Sequence, residues 1–291
     1  LSREPVAWVF NLDAEDELSR GGPHTPTKVA QARVESLLPS LRALLEPGDE
    51  LLWPSTEPVK SARIGRAWCP TPWACDQMRR AGLEIPPAPS PEVLRRVNHR
   101  KFAHDLGQAL PAAAFVTTEA ELLTLLATKP AASVEGNWLM KRPLGYAGRG
   151  RRKIASADLS AADRTWINGA LRTGDGLQVE PFVVRELDCG LHGFVEADGS
   201  LKLGEPTLSS IDASGTWLFT EKASPITLLQ AEREALTAAA TGSAQALTAA
   251  GYFGPFGIDA FRWRDPQGEV GFQPRCELNA RYSMGWAIGM N

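Results

Sequence analysis

The sequence predicts an α/β fold in two parts, a small α/β domain with a parallel sheet and then a longer α+β part rich in strands. Three observations carry this. The N-terminal stretch runs strand, helix, strand, the order that builds parallel sheets. Residues 84–92, EIPPAPSPE, place four prolines in nine positions; proline removes backbone donors and stiffens the chain, so this stretch reads as a linker. Beyond it, short apolar runs punctuated by turn residues outnumber helical patterns. A chain of 291 residues has room for two domains, and the expected division is 1–88 and 89–291.

Taken in order, VAWVFNL (6–12) is short, apolar and partly β-branched, as a buried strand is. TKVAQARVESLLPSLRALLE then spaces Val29, Ala32, Leu37, Leu41, Leu44 and Leu45 helically, and Pro39 should kink or divide that helix. PGD (47–49) stops it and ELLWP supplies a second strand. After the linker, PEVLRRVNHRKFAHDLGQAL reads as one amphipathic helix with Val93, Leu94, Val97, Phe102, Leu106 and Leu110 on its apolar side. AAFV is a short strand. Thr118 with Glu121 three residues later forms a capping box ahead of a helix. NWLMKRP (137–143) and RRKI flank a glycine-rich turn, and LQVEPFVV (177–184) is a further strand. ELDCGLHGFVEADGSLKLGEP folds back at ADGS as a hairpin. Residues 227–250 are helical, with Gly242 inside and Gly251 at the C-terminal cap. FGIDAFRW and VGFQPRCELN pair across RDPQGE.

Composition excludes several classes. Apolar residues are 43% and charged residues 22%, with a net charge of −3, an ordinary globular balance that gives no reason to expect nucleic-acid or membrane binding. No apolar run approaches the roughly 18 residues a membrane helix needs, and the N-terminus carries no secretory pattern. Cys69, Cys75, Cys189 and Cys276 form no C-x-x-C pair, and His24, His99, His104 and His192 show no zinc spacing. Idle thiols in a reducing cytoplasm are the expectation.

Two stretches look chemical. KRPLGYAGRGRRK (141–153) has six basic residues and no acidic one. Gly145, Gly148 and Gly150 let its backbone approach an anion, although a solvated basic hairpin fits this stretch equally well. It is neither a Walker A loop nor a dinucleotide fingerprint, since neither G-K-[ST] nor a third correctly placed glycine follows. In QPRCELNARYSMG (273–285), strand alternation puts Gln273, Arg275, Glu277 and Asn279 on one face, with Phe272, Pro274, Cys276 and Leu278 against the core. Pairing through DPQG lets Asp259 meet Glu277 and Asn279. Two carboxylates and an amide oxygen are hard ligands suited to Mg²⁺; the bland reading is the polar face of an edge hairpin. Glu180 interrupts an apolar run, and Glu186 stands just beyond it.

In sequence order these pieces resemble the ATP-grasp superfamily over residues from about 91 to 291. They are the basic NHRK, the strand lysine ahead of the glycine-rich loop in MKRPLGYAGRGRR, the acidic strand VEPFVVRE, then GIDAF and ELNAR. The segment before them resembles the small Rossmann-like domain that precedes ATP-grasp lobes. The resemblance implies two lobes, about 89–183 and 184–291, with mainly antiparallel sheets. It implies that Lys101 and Lys141 contact ATP phosphates, Lys141 also reaching the adenine edge, and that Gly145 to Gly150 close over the β- and γ-phosphates. Glu180 and Val183 would offer backbone groups to adenine, and Glu186 would bind ribose. Asp259, Glu277 and Asn279 would hold two Mg²⁺ ions, with Mn²⁺ as a substitute. Arg281 would serve the γ-phosphate or the developing oxyanion.

The implied reaction is ligation: a small-molecule carboxylate is activated as an acylphosphate and captured by an amine, releasing ADP and phosphate. A kinase of the same fold and a non-catalytic ATP-binding module are the alternatives, and a homodimer is compatible. Gly257 departs from the pattern, because several amino-acid ligases of the family carry a basic residue there. Ser209, Ser210, Asp212 and Trp217, together with parts of the first domain, are candidate walls for the substrate. The resemblance also expects a closing helix after Gly285 that the six remaining residues do not supply, which fits a trimmed chain.

Overall fold

In the computed structural model, β1 (Val6–Val9) is buried along its whole length. Such a strand must be covered on both faces, which is why its sequence is continuously apolar. The structure describes residues 4–55, 57–133, 135–145, 150–155, 158–172, 174–212 and 217–291. After β1 come α1 (Ala14–Arg20), α2 (Lys28–Leu41), β2 (Glu50–Trp53), β3 (Ile64–Ala67) and α3 (Pro72–Arg80). The three strands form a parallel sheet in the order β2-β1-β3. Ala7 and Val9 pack towards Ala74 and Met78. Trp8 faces the other way, its ring 5.1 Å from that of Tyr282 near the C-terminus.

Thr27 caps α2 by accepting the Ala30 amide at 3.1 Å. The buried face of α2 is Ala30, Val34 and Leu41, not the Val29 and Ala32 stripe expected. Val29 is 59% exposed, and the 30–34–37–41 spacing is the one that stays on a single side. Nor does Pro39 divide the helix. It lies in the last turn, and the chain tightens into a 3₁₀ turn at Arg42–Leu44 directly afterwards. β3, α1 and α3 were not anticipated.

Beyond the prolines, α4 (Pro91–Asn98) and α5 (Arg100–Asp105) replace the single helix expected. His99 is extended, with φ −72° and ψ 129°. The break has a distant cause: the Arg100 amide donates to the Pro143 carbonyl at 2.8 Å instead of continuing the helix. Then come β4 (Ala114–Val116), α6 (Glu119–Leu126), β5 (Trp138–Lys141), β6 (Arg151–Ile154), α7 (Ala161–Leu171) and β7 (Leu177–Pro181). The Thr118–Glu121 capping box is present. The strands form an antiparallel sheet, β4-β7-β5-β6, over a core that includes Leu122, Trp138, Met140, Ile167 and Leu177.

The rest is β8 (Val184–Val195), β9 (Leu201–Leu203), β10 (Thr207–Ile211), β11 (Trp217–Lys222), α8 (Gln230–Ala249), β12 (Gly254–Arg264), β13 (Val270–Asn279) and α9 (Trp286–Met290). The order is β11-β10-β8-β12-β13, with β9 also on β8. Helix α8 lays Leu236, Ala239, Ala240, Ala244 and Leu247 on this sheet, and Glu232 anchors it to Arg262 of β12 at 2.7 Å. Gly251, at φ 80°, takes the left-handed turn past the helix. The short α9 corrects the expectation that nothing helical follows Gly285.

On β13, Asp259 pairs with Glu277 and Gly257 with Asn279, but Phe261 pairs with Gln273. The residues between, Pro274 to Cys276, therefore bulge opposite Ala260. Proline cannot donate to a ladder, so a bulge on this edge strand is where it fits. The bulge breaks the alternation expected for this strand. Gln273 turns to the Gln108 carbonyl, and Arg275 reaches the Gly107 carbonyl at 2.7 Å and the Ser243 hydroxyl at 3.3 Å. Cys276, expected in the core, borders a cavity.

Candidate active site

That cavity, of about 260 Å³, opens where the three sheets meet. Asp259, Glu277 and Asn279 form one wall, brought together by the β12–β13 register. The Asn279 amide donates to Asp259 Oδ2 at 3.1 Å. Arg100 bridges to Glu277 Oε1 at 2.9 Å. Burial, followed by the Glu277 charge, pushes the Asp259 carboxyl up to about 7. Burial also acts upward on Glu277, but Arg100 and Lys141 outweigh it and hold that carboxyl below its usual range. Two neighbouring carboxyls pushed apart in this way mark a place where like charge accumulates.

The four-stranded sheet supplies the opposite side. Lys141 at the end of β5 is buried and bridges to Glu180 on β7 at 2.5 Å; β5 and β7 are paired neighbours. Arg151 on β6 and Arg185 on β8 also line the cavity. Arg185 is held by Asp188 at 2.8 Å and lies over the Phe261 ring at 3.9 Å. Between Lys141 and Arg151 lies the glycine-rich stretch of the sequence. The Gly145 carbonyl accepts from Arg100 at 3.4 Å. Gly150 adopts φ 73°, a conformation costly for other residues, and its carbonyl accepts the Arg142 amide at 2.7 Å. Gly148 lies outside the described residues.

The third contribution comes from the N-terminal sheet. Arg281 is only 11% exposed and bridges to Glu15 Oε1 at 2.5 Å, a carboxylate 4% exposed. Its guanidinium also lies 5.6 Å from the Trp68 ring, and the Tyr282 amide donates to the Trp68 carbonyl at 3.1 Å. Thus α1, the loop after β3 and the segment after β13 position this one cation. His192 of β8 lines the same cavity. Gly257, Gly285 and Gly289 leave room for its ring, since a Cβ on any of them would come within 3.0 Å of it. Burial alone lowers its imidazole to about 4, so it is neutral at pH 7.

Most of the residues singled out in the sequence converge here: Lys141, Asp259, Glu277, Asn279 and Arg281 line the cavity, Glu180 holds Lys141, and Gly145 accepts from Arg100. Three do not. Lys101 pairs with Asp105 at 2.7 Å on the exposed side of α5; the break at His99 turns Arg100 inward instead. Glu186 pairs with Arg264 across the β8–β12 ladder at 2.5 Å, outside the cavity. Val183 is buried beside Phe261 and Leu110. Of the candidate substrate walls, Ser209 and Trp217 line the cavity and Ser210 and Asp212 do not. Sequence reading missed Arg100, Glu15, Arg185, Asp188 and His192. A basic residue beside Lys101 was the only local signal among them.

The donor set fits a hard divalent cation. Two carboxylates and an amide supply oxygen, and a buried like-charged pair is relieved by positive charge. Among the described residues no three His, Cys, Asp or Glu side chains converge to hold a metal, so the set is two carboxylates plus Asn279. The two cavity thiols, Cys189 and Cys276, are poor nucleophiles, since burial pushes the first up and holds the second at about 12.

No protein-family model matches this chain, and no curated relative matches it in sequence. Solved structures do resemble it. Pyruvate carboxylase of Rhizobium etli superposes with a TM-score of 0.56 at 15% identity, covering 96% of this chain and 26% of that one. Biotin carboxylase of Campylobacter jejuni, solved as a β-γ-ATP complex, gives 0.54 at 13% identity over 99% and 66%. D-alanyl-alanine synthetase A of Vibrio cholerae O1 biovar eltor gives 0.54 at 12% identity over 96% and 90%. The chain spans about a quarter of the first and two thirds of the second. Its fold is the ATP-grasp fold: mixed α/β, with mostly antiparallel sheets.

Removing one partner of an enclosed ion pair strands the other. Glu15→Ala should therefore lower unfolding free energy by about 3 kcal/mol, and Glu15→Ala with Arg281→Met should recover most of it; denaturant titration of the four-member cycle measures the coupling. For His192, the folded pKa of about 4 lies below the ordinary imidazole value of 6.5. The unfolded chain then binds the extra proton, so this residue's contribution to stability falls as pH drops from 6.5 towards 4. The stability difference between wild type and His192→Gln should shift by up to roughly 3 kcal/mol over that window, against the wild type, and remain flat above pH 7.

Proposed function

We propose that this chain is an ATP- and Mg²⁺-dependent carboxylate–amine ligase that releases ADP and phosphate. One observation carries the reading: Asp259, Glu277 and Asn279 from one sheet, Lys141 from another and Arg281 from the segment after β13 line a single cavity. Phosphoryl transfer needs positioning and neutralisation of charge more than an enzyme nucleophile, and this cavity is built from such groups. When bound, Mg²⁺ held by Asp259, Glu277 and Asn279 would supply charge neutralisation at the phosphates.

The protein's own residues have these tasks. Lys141, fixed by Glu180, presents an ammonium to phosphate oxygens. Arg100 holds the Glu277 carboxylate in place and adds positive charge beside it. Arg281, fixed by Glu15, faces the reacting end and stabilises negative charge as it develops there. A substrate carboxylate oxygen bonds to the γ-phosphorus while the bond to the bridging oxygen breaks and ADP departs. The amine nitrogen then bonds to the acyl carbon, phosphate leaves with the electron pair, and the nitrogen loses a proton. The four free thiols suit a reducing cytoplasm, which we propose as the location.

Glu277→Ala should cut substrate-dependent ADP release on the order of a hundredfold or more while leaving the circular dichroism spectrum intact; full activity would remove Glu277 from the site. Lys141→Met paired with Glu180→Gln, which avoids a stranded buried charge, should weaken ATP binding on the order of tenfold by calorimetry. An unchanged affinity would take Lys141 out of the nucleotide site.

A further inference from the structure

The cations that line the cavity are nearly all engaged. Arg100 is held by Glu277, Lys141 by Glu180, Arg185 by Asp188 and Arg281 by Glu15. Arg33 differs. It lines the cavity from α2, is half-buried, and has no carboxylate or carbonyl partner for its guanidinium among the described residues. One turn on, Leu37 lines the same wall, the i, i+4 neighbour on one helix face. Leu12, Trp68 and Met284 line the same cavity and belong with Leu37 to one hydrophobic cluster, so the helix face that carries Arg33 borders an apolar wall. This end of the cavity belongs to the N-terminal sheet and to the segment after β13. The carboxylates of β12 and β13 and Lys141 lie on other elements.

We infer that Arg33 is a specificity-determining residue that takes a non-reacting carboxylate of the second substrate, whose apolar body lies along Leu12, Leu37, Trp68 and Met284. The substrate class is an apolar amino acid. A guanidinium offers a carboxylate two parallel donors, and its unengaged state in an apolar wall leaves those donors for a ligand. Size agrees: a cavity of about 260 Å³, partly given to phosphates, leaves room for a molecule of amino-acid dimensions. The inference rests on the ligase reading for placing the reacting group at the Glu277 and Arg281 end.

The test titrates wild type, Arg33→Gln and Arg33→Lys with L-phenylalanine and with 2-phenylethylamine, which differ by the carboxylate alone. Tryptophan fluorescence reports binding, because Trp68 and Trp217 border the cavity. Wild type should bind L-phenylalanine on the order of tenfold tighter than the amine. Arg33→Gln should lose that preference while binding the amine as wild type does, and Arg33→Lys should keep part of it. Equal binding of the two probes by wild type, no binding of either, or an undiminished preference in Arg33→Gln overturns the inference. ATP affinity, measured separately by calorimetry, should be the same in all three proteins. Loss of ATP binding in wild type, with amino-acid binding intact, would count against the ligase reading alone.

Discussion

Two carboxylates placed opposite each other on neighbouring strands are the constraint around which the rest of this structure is arranged. Asp259 and Glu277 are held side by side by the β12–β13 ladder, where burial and mutual repulsion drive one carboxyl up to about 7 and cations hold the other down. A packed core would not retain such a pair without compensation, because stranded buried charge is expensive. Arg100 arrives through the break between α4 and α5, Lys141 arrives at the end of β5, and Asn279 donates to Asp259. Each depends on a different part of the fold reaching the same point.

The N-terminal sheet takes part in this arrangement as well. Trp8 against Tyr282 and Glu15 against Arg281 tie its first strand and helix to the segment after β13. The apolar contact supplies most of the attachment, in proportion to area buried. The ion pair fixes direction: a guanidinium gripped by a buried carboxylate cannot swing away from the cavity. The apolar end of the cavity, where Arg33 has no ion-pair partner among the described residues, is a consequence of the same docking.

Much of the fold was legible in local sequence. The hairpin turn at DPQG sets the register from Arg264–Val270 to Phe261–Gln273, the bulge beyond it carries Asp259 past Arg275 to Glu277, and strand parity then places Asn279 beside them. Capping at Thr118 and the left-handed glycine after α8 were equally local. What escaped was decided at long range. Nothing near His99 shows that the Pro143 carbonyl will claim the Arg100 amide, so Arg100 and Lys101 could not be told apart. Glu186 was lost to Arg264 on the adjacent strand for the same reason. Glu15 and Trp68 carry no motif, since their role exists only once the N-terminal sheet docks. The bulge at Pro274 is a different kind of miss: a proline inside a strand signals it, and strict alternation overrode that signal.

The central claim is that the cavity between Lys141 and Glu277 receives the terminal phosphates of ATP. A crystal structure with Mg²⁺ and a non-hydrolysable ATP analogue tests it most directly. The account predicts phosphate oxygens within hydrogen-bonding distance of Lys141, with the cation on Asp259 and Glu277. A nucleotide bound anywhere else, or a cavity left empty at saturating analogue, would contradict it.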